Sequence, residues 1–382
     1  MADAVVVGAG IIGLSTAFRL VERGWSVRVC DPAPAMGATR AAAGMLAPAA
    51  EVVWGQEALW PLMRDSAELY PELVERVESV TGMAAGYVRN ETVVVGLDAA
   101  DRLALDELTK QQTAFGMRAE RLDALAARRL EPALGPGVVG GVRLRDDHQL
   151  DPRRFTGALL AWLGDRVVRE PVRSLRRVDG TTRGVILADG TEIAAEQTVI
   201  ATGRALLPEL SQLPLRSVHG DILRLRFAPE RPPLIDRTVR ALVRGRPCYV
   251  VPRPGGELVV GATSREDGRD GVSAEGVHRL LEDARRALPG LLEADLAETM
   301  VRARPGTPDD LPLIGRIDDG AVVSTGYFRH GILLAPLGSA LTAALTTGEP
   351  VDPSTLRAVD PERFAMAGAG APNPSHHEEE QE

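Results

Sequence analysis

The sequence predicts an α/β fold with a second, α+β domain: a Rossmann-like domain into which an antiparallel-sheet domain is inserted. Three observations lead to this class. The chain opens with strand, glycine turn, helix, strand and acid, in "VVVGAGIIGLSTAFRLVERGWSVRVCD". Strands then alternate across Asp-Gly turns between residues 172 and 200. The segments between these parts of the chain have a different pattern of helices and strands.

The glycine turn has the spacing of the dinucleotide-binding fingerprint GxGxxG and follows a β-branched run. Gly8 permits the tight turn, Gly10 lets the backbone approach a pyrophosphate, and Gly13 lets the helix pack closely on the sheet. Ile11 and Ile12 lie between these glycines, at a helix N-terminus that favours an anion, and we expect both to contact the ligand. A lone fingerprint is weak, but here the whole βαβ context surrounds it.

The second strand of this unit ends in an acid, Asp31, followed by Pro32. A carboxylate about 20 residues beyond the glycines accepts hydrogen bonds from ribose hydroxyls. An acid at this position disfavours a 2′-phosphate. The unit therefore predicts FAD or NAD rather than NADP, with both residues at the cofactor.

The next segment, "GATRAAAGMLAPAAE", favours FAD over NAD. An NAD-dependent dehydrogenase domain continues into further βα units, whereas this chain enters a loop of small residues that can pass beneath a flat ring system. Thr39 and Arg40 are available to phosphate or ribityl oxygens. Ala43, Gly44 and Met45 follow and are expected at the cofactor too. A flexible alanine-rich linker is the alternative.

A second nucleotide contact is predicted in "EQTVIATGRAL", where a buried strand ends in Ala201, Thr202 and Gly203. Before it, strands alternate across the turns Asp179-Gly180 and Asp189-Gly190, as in the β-meander of two-dinucleotide-type flavoproteins. In that arrangement the backbone of Val172 would meet the adenine.

Five motifs together carry a resemblance to a known family: "VVVGAGIIGLSTA", "TRAAAGMLAP", "CYVVPRPGGELVVGAT", "RARPGTPDDLPLIG" and "GYFRHGILLAP". In this order, over residues 4 to about 345, the chain resembles the FAD-dependent D-amino-acid oxidase superfamily and is most similar to glycine oxidases of the thiamine-biosynthesis type. The resemblance implies FAD. Cys30 and Cys248 are not placed for a covalent flavin link, so noncovalent FAD is expected.

The resemblance also implies the substrate site. Tyr249 matches a tyrosine that hydrogen-bonds the substrate carboxylate, and Arg304 matches the carboxylate anchor. We further expect a rigid turn at Pro305-Gly306 to fix Arg304 for a bidentate contact. Met45 would stand beside the flavin and favour small substrates. The flavin's pyrimidine edge would lie against Tyr327, Phe328, Arg329, His330, Gly331, Ile332 and Leu333, with Arg329 pointing into the substrate cavity and His330 a neighbour only.

The expected domains are discontinuous. Residues 1–50, 146–214 and 303–362 would form the FAD-binding domain, and residues 51–145 and 215–302 the substrate-binding domain. We read 51–145 as mainly helical. The small, polar and acidic tail 366–382 cannot bury a core and is expected to be disordered.

Charge and composition exclude other classes of protein. The formal net charge of −9 and scattered arginines argue against nucleic acid binding. Two distant cysteines form neither a disulfide framework nor a zinc site, and no metal site is expected. We find no signal peptide and no apolar stretch long enough to span a membrane. A cytoplasmic protein is expected, with a homotetramer suggested by the resemblance.

The expected activity is an oxidase acting on glycine, sarcosine or D-alanine, with molecular oxygen as acceptor. It would give the 2-oxo acid, ammonia or an amine, and hydrogen peroxide, for thiamine thiazole synthesis. Two alternatives stay open: an FAD-dependent amine or amino-acid dehydrogenase with another acceptor, and a noncatalytic flavin-binding subunit of a larger complex. The sequence does not decide among them.

Overall fold

The computed structural model describes residues 2–228 and 230–364. The helices are α1 (Ile11–Glu22), α2 (Ala38–Ala41), α3 (Leu59–Glu68), α4 (Tyr70–Thr81), α5 (Ala99–Ala114), α6 (Ala124–Leu130), α7 (Pro152–Leu163), α8 (Ala274–Ala287), α9 (Ala335–Thr347) and α10 (Pro353–Val359). The tail expected to be disordered, 366–382, lies outside the described residues.

The strands follow in chain order. They are β1 (Ala2–Val7), β2 (Val27–Cys30), β3 (Met45–Leu46), β4 (Tyr87–Val88), β5 (Thr92–Gly96), β6 (Ala119–Asp123), β7 (Gly140–Leu144), β8 (His148–Leu150), β9 (Val167–Val168), β10 (Val172–Val178), β11 (Thr181–Leu187), β12 (Glu192–Ile200), β13 (Arg216–Arg226), β14 (Thr238–Val243), β15 (Arg246–Arg253), β16 (Glu257–Gly261), β17 (Asp295–Gly306), β18 (Leu313–Asp318) and β19 (Ala321–Thr325).

The first sheet has a parallel centre, with the order β10-β11-β12-β1-β2-β9 and with β19 also beside β12. Both faces of β1 are covered. Ala4 and Val6 pack into a core with the helices α1, α7 and α9, whereas Val5 and Val7 pack under the β10–β11 hairpin. Coverage on both sides explains why β1 is continuously apolar from Ala4 to Val7 rather than alternating.

The second sheet is mostly antiparallel, in the order β17-β13-β16-β15-β14-β5-β7-β6. One parallel pair, β14 with β5, joins its two halves. Helix α8 covers one face because Leu280, Ala284 and Ala287 recur on one side of it and pack with apolar strand residues such as Leu223 and Val250. Ser273 caps this helix by accepting a hydrogen bond from Gly276 N.

Two details of the second sheet differ from the sequence interpretation. The segment 51–145, read as mainly helical, also contains β5, β6 and β7, whose runs of five residues are short beside the helices that flank them. The turn expected at Pro305-Gly306 is wrong, since both residues belong to β17, opposite Ser217 and Arg216. Proline is tolerated there because β17 is an edge strand, where no partner needs its missing N–H.

The predicted fold class is confirmed: a parallel-centred α/β unit and a mostly antiparallel sheet alternate along the chain. The Asp179-Gly180 turn is also found, with positive φ at both residues, as a two-residue hairpin of this hand requires. The division into two discontinuous domains stays a prediction. Among the helices of the described residues, none is long and apolar enough to cross a membrane.

Candidate active site

A cavity of about 650 Å³ lies where the carboxyl ends of the parallel strands meet the second sheet. Gly8 follows β1, Asp31 follows β2, Ala201 follows β12, and Tyr327 comes soon after β19. Ligands of open α/β sheets bind at this edge. The second sheet contributes the opposite wall, which includes Tyr249 and Arg304.

The glycine turn forms one end of the cavity. Gly8 has φ +101°, and a Cβ there would stand 2.4 Å from the carbonyl oxygen of Ala201. At Gly13 a Cβ would stand 1.9 Å from Gly8 O, so the helix can approach the strand only because this side chain is absent. By contrast, a Cβ at Gly10 would meet only Thr39 Oγ1, at 3.5 Å. The space before Gly10 is therefore open to a ligand.

Polar groups at this end are arranged for a dinucleotide. Asp31 accepts hydrogen bonds from Ala9 N through Oδ2 at 2.7 Å and from Ala33 N through Oδ1 at 2.8 Å. These bonds fix its carboxylate at the cavity wall. Ile11 N donates to Thr39 Oγ1 at 3.1 Å, which ties the loop 37–45 to the start of α1. Thr202 Oγ1 is buried without a partner among the described residues.

The small-residue loop passes along the cavity floor. Its residues that line the cavity include Thr39, Ala43, Gly44 and Met45. A Cβ at Gly44 would lie 1.9 Å from Leu150 O, so a larger residue would push the loop away from β8. With an orphaned hydroxyl, an open glycine cradle and this flat floor, the residues present fit an FAD molecule.

Most of the predicted cofactor residues line this cavity. They are Gly8, Gly10, Ile11, Ile12, Asp31, Thr39, Ala43, Gly44, Met45, Ala201, Thr202, Gly203 and Tyr327 to Leu333. Gly13, Pro32, Arg40 and Val172 lie outside its lining, and their contact with a cofactor stays a prediction. Arg40 lies among Arg153, Arg224 and Arg302 near Glu298, so its charge belongs to a separate cluster.

Tyr249 on β15 and Arg304 on β17 meet across two intervening strands, because glycines on those strands leave room for them. A Cβ at Gly261 would stand 2.3 Å from Tyr249 Oη, and a Cβ at Gly220 would stand 2.3 Å from Arg304 Nη2. Both side chains therefore lie flat over the sheet. We call Tyr249, Arg304, Gly220 and Gly261 the clamp.

The clamp presents one cation and one hydroxyl to the cavity. Arg304 Nη1 donates to Thr263 O at 3.2 Å. This is the one hydrogen bond that the guanidinium makes within the described part of the chain. Burial lowers the pKa of Arg304 but leaves it a cation. Burial also raises the pKa of Tyr249 to about 12, so its phenol stays neutral. The remaining donors suit a carboxylate.

Arg329 and His330 both line the cavity, but their side chains differ in exposure. His330 is therefore more than the neighbour of Arg329 that the sequence interpretation expected. The Arg329 guanidinium is exposed and lies 5.1 Å from the Phe328 ring centroid. His330 is 1% exposed and lines the cavity. Neither of its ring nitrogens has a partner among residues 2–228 and 230–364. Burial lowers the pKa of His330 to about 4, so the ring is neutral near pH 7.

The sequence interpretation missed Glu51 and Arg240, which form an ion pair in the cavity wall. Burial opposes ionisation of Glu51, but the adjacent Arg240 outweighs it and lowers the pKa of Glu51 to about 2. Glu51 is the first acid after the small-residue loop, and Arg240 is the charged residue inside the apolar strand "TVRALV". These two positions were the signals in the sequence from which the ion pair could have been suspected.

Neither cysteine of the chain lies in the lining of the cavity. Both thiols are buried, and burial raises the pKa of Cys30 to about 11 and that of Cys248 to about 12. A buried, protonated thiol is a poor nucleophile. Both cysteines therefore read as packing residues.

Comparisons with known proteins identify the family to which this chain belongs. A family model described as FAD dependent oxidoreductase matches residues 3–345. Glycine oxidase of Geobacillus kaustophilus is 32% identical over 360 residues, covering 90% of this chain and 92% of that protein. A crystal structure of glycine oxidase from that organism has a TM-score of 0.84 at 30% identity, covering 95% of this chain and 98% of the other.

A bifunctional protein ThiO/ThiG of Trichormus variabilis is 33% identical over 363 residues, which are 92% of this chain. The chain spans about half of that relative's length, 53%. Together these similarities confirm the predicted family and FAD as its cofactor. The chain belongs to the FAD dependent oxidoreductase family.

Proposed function

We propose that this protein oxidatively deaminates glycine and other small amines, such as sarcosine and D-alanine. The observation that carries the proposal is the clamp: a part-buried guanidinium, Arg304, without a carboxylate partner in the described chain, beside the neutral phenol of Tyr249. A cation that is largely withdrawn from water and has no partner favours an anion from elsewhere. The carboxylate of an amino acid supplies that anion.

The space around the clamp supports a small substrate. Met45 and Tyr249 pack against a compact apolar cluster that includes Ile222, Val251 and Val259. Such a packed wall yields little to a bulky side chain. Substrates with a hydrogen or a methyl group on Cα are therefore favoured.

The residues of the site would divide the work as follows. Arg304 and Tyr249 hold the carboxylate and so fix the position of Cα. Glu51 places a negative charge on the substrate side, where it favours an amine, and the uncharged His330 ring can accept a hydrogen bond from it. Bound FAD would supply the two-electron redox chemistry of the reaction, with oxygen as the final acceptor and hydrogen peroxide as its product. The imine product hydrolyses in water to the 2-oxo acid and ammonia or an amine.

The biological setting is part of the same proposal. Relatives carry the names "Bifunctional protein ThiO/ThiG" and "Putative thiamine biosynthesis oxidoreductase ThiO". These names support a role in making the thiazole of thiamine. The involvement of oxygen, noncovalent FAD, a cytoplasmic location and a homotetramer are inferred with it.

The test is an anaerobic titration of the purified flavoprotein with glycine, sarcosine, D-alanine and iminodiacetate, recording bleaching of the flavin absorbance. Iminodiacetate belongs in the panel because Arg329, at the cavity wall, makes no ion pair with a described residue. An iminodiacetate oxidase of Chelativorans sp. BNC1 also has a similar structure, with a TM-score of 0.82 at 26% identity. We expect glycine to bleach the flavin and to produce peroxide in air.

The same titration separates the alternatives. Bleaching without peroxide in air would indicate a dehydrogenase with another electron acceptor. Bound FAD that no amine bleaches would indicate a noncatalytic subunit. A matched variant, Arg304→Ala, should raise KM by a factor of about 10 to 100, because a charge-assisted hydrogen bond contributes roughly 1.5–3 kcal/mol. An unchanged KM would remove Arg304 from the site.

A further inference from the structure

The segment 47–51, between β3 and α3, carries Glu51 into the cavity, and a buried carboxylate holds it there. Asp147 Oδ1 accepts a hydrogen bond from Ala49 N at 3.1 Å, and Asp147 Oδ2 accepts one from Ala50 N at 3.1 Å. Asp147 is fully buried. One side chain therefore accepts hydrogen bonds from two consecutive backbone N–H groups of the segment that presents Glu51.

The side chain of Asp147 continues a strand pairing that ends at this point. Leu46 on β3 pairs with His148 on β8, and Asp147 directly precedes β8. A second side chain, Gln112 on α5, donates from Nε2 to Ala49 O at 2.8 Å. The segment is thus fixed from both sides by side chains rather than by a strand partner.

The charges that face Asp147 are few. Arg240 on β14 favours its ionised form and Glu51 opposes it, and neither hydrogen-bonds to it within the described chain. His148 follows it, with a pKa lowered by burial. Its other neighbour, Asp146, forms an exposed ion pair with Arg118. Two backbone N–H groups are therefore its direct partners.

We propose that Asp147 is a positioning residue of the substrate site, whose ionised carboxylate fixes the segment 47–51 and thereby sets Glu51 beside Arg240, where the substrate amine binds. The proposal rests on the proposed function and deepens it. Asp147 does not line the cavity. It acts through the backbone of Ala49 and Ala50.

We call the two hydrogen bonds from Ala49 N and Ala50 N to the Asp147 carboxylate the anchor. Protonation of Asp147 would weaken it. A protonated oxygen becomes an O–H donor and a much weaker acceptor, so one of the two N–H hydrogen bonds is weakened. Burial raises the pKa of Asp147 to about 7, against the effect of the N–H groups and Arg240. The anchor is complete above that pH and incomplete below it. Affinity for the amine should therefore fall as the pH is lowered through about 7.

The experiment compares Asp147→Asn with Asp146→Asn in the FAD-loaded enzyme. Asp146→Asn is the matched control, because it removes the adjacent carboxylate from the surface. For Asp147→Asn we expect KM for glycine to rise about tenfold, as for loss of one hydrogen bond to a charged group. The decline of kcat/KM below about pH 7 should also disappear. Binding of acetate, which has no amine, should change less than about twofold, as read from the flavin spectrum.

A second variant, Gln112→Ala, loosens the same segment without removing a titratable group. This variant should raise the KM for glycine but keep the pH dependence of kcat/KM. A general loss of structure would not change one and spare the other. If Asp147→Asn keeps both the wild-type KM and the wild-type decline of kcat/KM, the proposal is overturned. It is equally overturned if Asp146→Asn reproduces the effects of Asp147→Asn.

A further measurement does not depend on turnover. Hydrogen exchange of the Ala49 and Ala50 amides should lose protection in wild-type protein below about pH 7, and at all pH values in Asp147→Asn. Protection independent of pH and of the substitution would refute the anchor, even if the variant proves hard to fold. A protein that shows this exchange behaviour but never oxidises an amine would instead refute the proposed function alone.

Discussion

Gly220→Ala should disable the clamp without removing any of its polar groups. The added Cβ would stand 2.3 Å from Arg304 Nη2 and 2.5 Å from Cζ. Ordinary contacts between such atoms are about 3.5–4 Å, so the guanidinium has to move by roughly 1 Å or more. The obstacle lies at the far end of a flexible side chain, so the sheet can keep its structure.

The magnitude follows from what the displacement breaks. A guanidinium held in place gives two parallel hydrogen bonds to a carboxylate, and one misaligned charge-assisted bond costs roughly 1.5–3 kcal/mol. We therefore expect KM for glycine to rise by a factor of about 10 to 100, since each 1.4 kcal/mol is about tenfold. The turnover number kcat should change less, because the flavin end of the cavity is untouched.

Steady-state peroxide assays over a range of glycine concentrations measure both constants, and thermal unfolding reports on the fold. Gly157→Ala is the matched control, because Gly157 lies in α7 with nothing within 4 Å of an added Cβ. It should leave KM unchanged. A Gly220→Ala enzyme whose KM stays within about threefold of wild type would refute the reasoning, since the guanidinium could then not be where ligand binding needs it.

Three further substitutions test other parts of the site. Glu51→Gln should lower the free energy of unfolding by roughly 3 kcal/mol near neutral pH, because part-buried Arg240 loses its partner. The Glu51 pKa falls from 4.5 to about 2 on folding, so its stabilisation is complete above about pH 4.5 and is lost towards pH 2. Denaturant titrations at pH 7 and pH 3 check this, and equal losses at both would contradict it. Tyr249→Phe should raise KM about tenfold, and kinetics between pH 6 and 9 should show no change in the shape of the pH profile, because the phenol is neutral throughout. Gly13→Ala should prevent stable FAD binding, since its Cβ would lie 1.9 Å from Gly8 O; a yellow, fully loaded variant would refute this.

Local signals in the sequence account for the backbone geometry at the Gly8 end of the cavity. The positive φ of Gly8 and the close packing of Gly13 against Gly8 involve residues within a few positions of each other, and Asp31 directly follows the next strand. The turn at Asp179-Gly180 is local in the same sense. Such features follow from backbone geometry that a short stretch determines by itself.

The substrate end could not be derived in the same way, because its parts come together only in the folded chain. Glu51 and Arg240 are separated by 189 positions, and nothing beside either residue in the sequence indicates the other. Gly220 and Gly261 have no positive φ that a turn pattern would reveal. Their role appears only when the strands that carry Tyr249 and Arg304 are placed beside them. The resemblance to a family supplied those two residues where periodicity could not.

The clamp has a consequence for how such a site can change during evolution. Its floor is shaped by two missing methyl groups, at Gly220 and Gly261, rather than by any side chain that points into it. Single-nucleotide changes from glycine to alanine there would reshape the site while leaving every charged residue in place. The range of substrates can therefore change through apparently conservative substitutions in the sheet. Sequence comparisons that consider only Tyr249 and Arg304 would not detect such a change.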